Sequence, residues 1–118
     1  MAANETRDTR IAENEAAFRA ANESLRVVFE NDEGADRYPF LCECGDPRCT
    51  VVVMLGLDAY AGLREHPSRF VIAPGHKQLD TETILEEGEG FQLIEKTGVA
   101  GDIARAHWQI PANEMRPA

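Results

Sequence analysis

Between Asn4 and Asn31 apolar residues return every seven positions, at Ile11, Phe18 and Leu25, with Ala21 and Val28 filling the intervening step. No Gly or Pro interrupts this stretch and helix formers dominate it, so the pattern predicts one long amphipathic helix. The stripe is thin, because Asn14 stands between Ile11 and Phe18, and the opposite face carries Glu13, Arg19, Glu23 and Arg26. Such a helix is expected to dock on its own domain and to offer a surface for self-association or for a protein partner.

Beyond the charged linker NDEGADR the pattern changes. Tyr38 to Leu41 is aromatic or aliphatic around Pro39 and reads as extended chain. Thr50 to Leu55 is a β-branched run suited to a buried strand. A short helix is expected from Asp58, as its cap, to Glu65, where His66-Pro67 stops it. Phe70 to Ile72 reads as a second strand and Phe91 to Lys96, which alternates, as a third. TETILEE, between Asp80 and Glu87, suggests a brief helical or irregular turn. One helical turn is expected at Asp102 to His107, before a loosely ordered tail in which the lone Trp108 could anchor on the core or on a partner.

Charge and composition narrow the function. Acids outnumber bases 21 to 12, giving a formal charge of -9. Affinity for nucleic acid comes largely from Lys and Arg displacing counterions, so no nucleic-acid partner is expected. No apolar run approaches the roughly 20 residues of a membrane helix, and MAANETRDTR lacks the basic-then-apolar order of a secretory signal. The expected location is therefore cytoplasmic, with no membrane partner. Three cysteines, an odd number, in a reducing compartment point away from a disulfide framework and toward metal or thiol chemistry.

CECGDPRC places Cys42, Cys44 and Cys49 in a C-x-C-x4-C array, with Gly45, Asp46 and Pro47 forcing a turn between the second and third. Alternation along an extended chain puts Cys42 and Cys44 on one face and points Glu43 the other way, toward solvent. Zinc accepts soft thiolates in a tetrahedron, and closed sites of three cysteines and one histidine are common. His76, in the turn sequence APGH, is the expected fourth ligand. His66 precedes a proline at a helix end, His107 lies in the polar C-terminal part, and Asp46 would add a further negative charge to three thiolates, so each is a weaker candidate.

With these motifs in view, FLCECGDPRCTVVVMLGLDAYAGLREHPSRFVIAPGH resembles a recurring family of small, uncharacterised bacterial proteins. That family pairs a helix of the ENEAAFRAANESL type with a C-x-C-x4-C cluster, an aliphatic strand, a D-x-Y-x-x-L-R helix, a P-x-R-F strand and a P-G-H turn. The resemblance covers about residues 11–97 and leaves the tail after Gly98 without a counterpart. It implies Cys42, Cys44, Cys49 and His76 as the ligand set and brings no reaction with it.

The expected fold is α+β: a long N-terminal helix with its linker (1–37), a zinc-stabilised module of about three short strands and one or two short helices (38–99), and a polar tail (100–118). The expected function is a non-catalytic zinc module acting as a protein-interaction or regulatory adaptor, with one structural Zn2+ replacing core that a short chain cannot build. A thiol and zinc redox switch is the alternative. A zinc-dependent hydrolase or deaminase, with Glu43 or Glu65 as base, is disfavoured because no H-E-x-x-H or H-x-E motif with P-C-x-x-C is present.

Overall fold

The computed structural model describes residues 3–32, 34–78 and 82–106, with the side chains of 3–6, 99 and 100 left aside. The fold is α+β, as the pattern predicts. Helix α1 spans Ala3–Phe29, strands β1 and β2 span Tyr38–Leu41 and Val52–Leu55, and α2 spans Leu57–Arg64. Strands β3 (Arg69–Ile72), β4 (Glu82–Gly88) and β5 (Phe91–Lys96) follow, and then α3 (Gly98–Ala106). No helix among these residues is long and apolar enough to cross a membrane.

Two small antiparallel sheets result, β1-β2 and β3-β5-β4. In the first, Phe40 pairs with Val53 and Leu41 with Val52; in the second, Phe70 pairs with Ile94. Aromatic packing fills the space between the first sheet and the helices. The rings of Phe40 and Tyr60 stack at 4.4 Å and those of Phe29 and Tyr38 at 4.9 Å, with Phe70, Ile72 and Ile94 fully buried in the same core.

Several expectations are corrected. The segment read as a helical or irregular turn is strand β4, paired with β5 through a register shift between Ile84 and Glu86. Most of its residues are exposed, so burial imposes no alternation on its side chains and no period-2 signal reaches the sequence. Helix α2 is entered through Gly56, with no side-chain cap; Asp58 sits in its first turn, where its charge suits the positive helix end. The C-terminal helix starts earlier than expected, at Gly98. His107 and Trp108 lie outside the described residues.

The largest difference concerns α1. Its buried face is Ala12, Glu15, Ala16, Arg19, Asn22, Glu23 and Arg26, most of it polar, while Ile11, Phe18 and Leu25 are half-buried and Val28 is exposed. The i, i+3, i+4 spacing is helical but is occupied by polar groups that are paired, Glu15, Arg19 and Asn22 with distant elements and Arg26 with Glu23 and Glu30 along the helix. Lys96 binds Glu15 and Glu82 together. One guanidinium nitrogen of Arg19 donates to the Ala104 carbonyl at 2.7 Å and another to that of Pro67, while its plane lies 4.7 Å from the Phe70 ring. The Asn22 side chain donates to the Leu41 carbonyl and accepts from the Leu41 amide, both at 2.8 Å, and so closes the free flank of β1.

Candidate metal centre

Cys42 directly follows β1, and its amide still donates to the Val51 carbonyl at 3.0 Å. The chain then turns through Gly45, which has φ of +86°. A Cβ at Gly45 would lie 2.7 Å from both Glu15 Cγ and the Ile11 carbonyl oxygen, so glycine is required twice, by backbone conformation and by the closeness of α1. The Asn14 side chain donates to the Gly45 carbonyl at 3.1 Å and ties the helix to this turn. Asp46 to Cys49 closes a second turn, in which the Cys49 amide donates to the Asp46 carbonyl and the Arg48 amide to the Asp46 carboxylate.

The fourth group arrives from β3. After Ile72 the segment Ala73-Pro74-Gly75-His76 turns, with the His76 amide donating to the Ala73 carbonyl at 3.1 Å and Gly75 at φ of +82°. Pro followed by a positive-φ Gly is the signature of a type II turn. It delivers His76 Nδ1 to 3.5 Å from Cys42 Sγ and 3.6 Å from Cys49 Sγ. One donor atom from each of Cys42, Cys44, Cys49 and His76 lies within 4.8 Å of every other.

These separations can be compared with the chemistry of the donor set. A tetrahedron with metal–sulfur bonds of about 2.3 Å and metal–nitrogen bonds of about 2.05 Å has a sulfur–nitrogen edge of about 3.6 Å. Two of the three sulfur–nitrogen distances, those of Cys42 and Cys49, fall on that value, and all four donors lie within 4.8 Å of one another, so the four residues could hold a single tetrahedral ion. Each sulfur also receives a main-chain N–H: Ala73 to Cys42 at 3.1 Å, Asp46 to Cys44, and Val51 to Cys49. Such donors offset thiolate charge, which three sulfurs and one dication leave in excess by one. The sulfurs also share protons. Hydrogen bonding with Cys42 pulls the Cys44 thiol down to about 5, and the same bond, reinforced by burial, pushes Cys42 up.

The other candidates stand apart. His66 is exposed beyond the end of α2, Glu65 is exposed beside it, and Asp46 is engaged with the Arg48 amide. Arg48 is exposed and faces Asp46 at 3.6 Å.

Glu43 corrects the expectation most directly. It does point away from the sulfurs, but into the interior, where it is fully buried. Its carboxylate accepts from Tyr60 Oη at 2.6 Å, Asn22 Nδ2 at 2.8 Å and the Val71 amide at 3.0 Å, and Arg64 lies 3.8 Å away. Burial, followed by the negative charge of Glu43, raises the Tyr60 hydroxyl well above its ordinary range and keeps it a donor. The Glu43 amide in turn donates to the Val71 carbonyl at 2.8 Å. A residue between two of the clustered cysteines thus joins α1, α2 and β3. Strand alternation gave its direction; only the packing of α1 and β3 over that side makes the direction inward.

Comparison with protein-family models, with curated proteins and with solved structures found no match. No family is shown for this chain; the ordered cysteines and the Pro-Gly-His turn are consistent with a metal site.

Proposed function

We propose that this chain is a non-catalytic adaptor module in which Cys42, Cys44, Cys49 and His76 hold one structural zinc ion, and in which α1 and its surroundings meet a protein partner or a second copy. The observation that carries the reading is the pair of sulfur–nitrogen separations, 3.5 and 3.6 Å, at the tetrahedral edge expected for zinc. Three thiolates and an imidazole favour zinc over hard cations such as Mg2+ or Ca2+. A complete set of four leaves no position for a reactive water, and both oxygens of Glu43 are already engaged, which argues against hydrolysis or deamination. Support for a partner surface comes from apolar residues left in solvent near α1 and on β2: Val28 is 63% exposed, Val52 50% and Met54 44%.

Native mass spectrometry of the untagged protein, with and without chelator, tests this reading. One zinc per chain, with loss of the folded charge-state distribution on chelation, is expected. An ion-free folded chain overturns it. A protein recovered only as a monomer that enriches no partner removes the adaptor half.

Half-exposed Cys49 favours a second reading, a thiol switch. Peroxide would oxidise two of the thiolates to a disulfide, be reduced to water, and release the zinc. Stoichiometric zinc release by peroxide, reversed by a dithiol reductant, distinguishes it from a purely structural site.

A further inference from the structure

On the outer side of the Cys44–Cys49 loop, where it meets the N-terminal half of α1, lies a cavity of about 490 Å³. Arg7 and Arg10 reach it from α1, and Arg48 from the loop. Arg7, Arg10, Ile11 and Asn14 follow one another at spacings of three, one and three, which places them on one side of the helix. The hydrogen bond from Asn14 to Gly45 fixes that side against the loop. Ile11 and Pro47 supply an apolar wall.

The charge of this cavity runs against that of the chain. The protein has 12 basic residues and a formal charge of -9, yet among the described residues three arginines line this cavity and only one acidic residue, Asp46, does. Asp46 is already engaged by the Arg48 amide, and its ion pair with Arg48 is long and exposed at 3.6 Å. The pair of Arg7 with Asp8, at 3.5 Å, is likewise exposed. Exposed pairs of this kind contribute little, so they compete weakly with a ligand. Planar guanidinium groups match phosphate oxygens in bidentate fashion, and three of them suit an anion carrying several charges better than a single carboxylate, which one fork satisfies. The volume lies in the range of small-molecule sites.

We propose that this cavity binds a small phosphorylated molecule of nucleotide size, with its phosphates on Arg7, Arg10 and Arg48 and its remaining part against Ile11 and Pro47. The site touches the zinc reading in one respect: the loop carrying Arg48 is the one that Cys44 and Cys49 anchor.

Amide-resolved NMR titration of the full metal-loaded chain with pyrophosphate and with ADP, at ionic strength matched with potassium chloride, tests this. Saturable shifts are expected at Ile11, Asn14 and Gly45, with ADP binding more tightly than pyrophosphate. Arg10→Glu combined with Arg48→Glu should weaken both ligands by at least about tenfold, and Arg37→Glu should leave them unchanged. Metal content is measured for each variant, so lost ligand binding at full metal load reports on the arginines, and lost metal reports on the centre itself. Absence of saturable shifts at millimolar ligand, or shifts unaltered by the double substitution, overturns the site. Equal affinities for pyrophosphate and ADP overturn the apolar-wall contribution.

Discussion

The candidate metal centre and the charged face of α1 both place polar atoms inside a small core, and they do so by opposite means. At the centre, three of four donors come from eight consecutive residues, and the groups are soft, close and ready for one external ion. Beneath α1, Glu15 meets Lys96 and Glu82 of the paired strands β5 and β4, the first two 81 positions apart, and Lys96 bridges the two carboxyl groups without any ion, leaving only Glu15 Oε1 without a partner among these three groups. The first arrangement could draw stability from an ion outside the chain, whereas the second depends on the proton. Burial, then hydrogen bonding to Glu82, pushes Glu15 up from 4.5 to about 10, so it stays protonated at neutral pH. Burial also pushes Glu82 upward, but its bonds with Glu15 and Lys96 and the charge of Lys96 outweigh this and leave it lowered. One proton and one ammonium thus serve two carboxyl groups.

The contrast can be broken most severely at the sulfurs. Cys44→Ser should abolish stoichiometric zinc and, with it, metal-linked folding free energy on the order of 10 kcal/mol. Circular dichroism and metal analysis check this, and a folded, ion-free variant would show that the packed core suffices alone. Next comes Glu43→Ala, which strands Arg64, Tyr60 and Asn22 in the interior. Its expected cost is about 3–5 kcal/mol in denaturant unfolding, with zinc retained. If zinc is lost together with stability, the two regions form a single cooperative unit and the contrast fails.

Glu15→Gln tests the proton side with a smaller effect. An unfolded Glu15 loses its proton near 4.5 and the folded one near 10, so folding takes up a proton between these values. Its stabilising contribution is therefore complete below about pH 4.5 and drains away as pH rises toward 10. Glutamine mimics the protonated acid and should flatten that slope, raising stability at pH 8 relative to the parent. Thermal melts across pH 5 to 9 would read it, and an unchanged slope would show that Glu15 is ionised in the fold. The smallest effect is expected from His66→Ala, which should leave metal stoichiometry intact and shift stability by less than about 0.5 kcal/mol.

The two regions also differ in how far the sequence reveals them. Cys42, Cys44 and Cys49 are legible because ligand chemistry is local, cysteine is rare, and Gly45 and Pro47 announce the turn. His76 is legible through the Pro-Gly pair that precedes it. The buried face of α1 is not, because Glu15, Arg19 and Asn22 look like a solvated surface until Lys96, Ala104 and Leu41 are brought against them. The heptad of Ile11, Phe18 and Leu25 therefore suggests the wrong stripe. Strand β4 is hidden for a related reason: exposure and a register shift erase the alternation that would mark it.

The distance between Glu15 and Lys96 has a consequence for biosynthesis. At translation rates of roughly 5–20 residues per second, Lys96 is synthesised about 4–16 s after Glu15, a gap set by their separation of 81 positions. A helix of this length forms within about a microsecond, so α1 must wait, nascent and undocked, for its counter-charge. Because the face it holds open is acidic, basic and amide-bearing, water solvates it during that interval, and the growing chain presents chaperones with far less sticky surface than an aliphatic seam would.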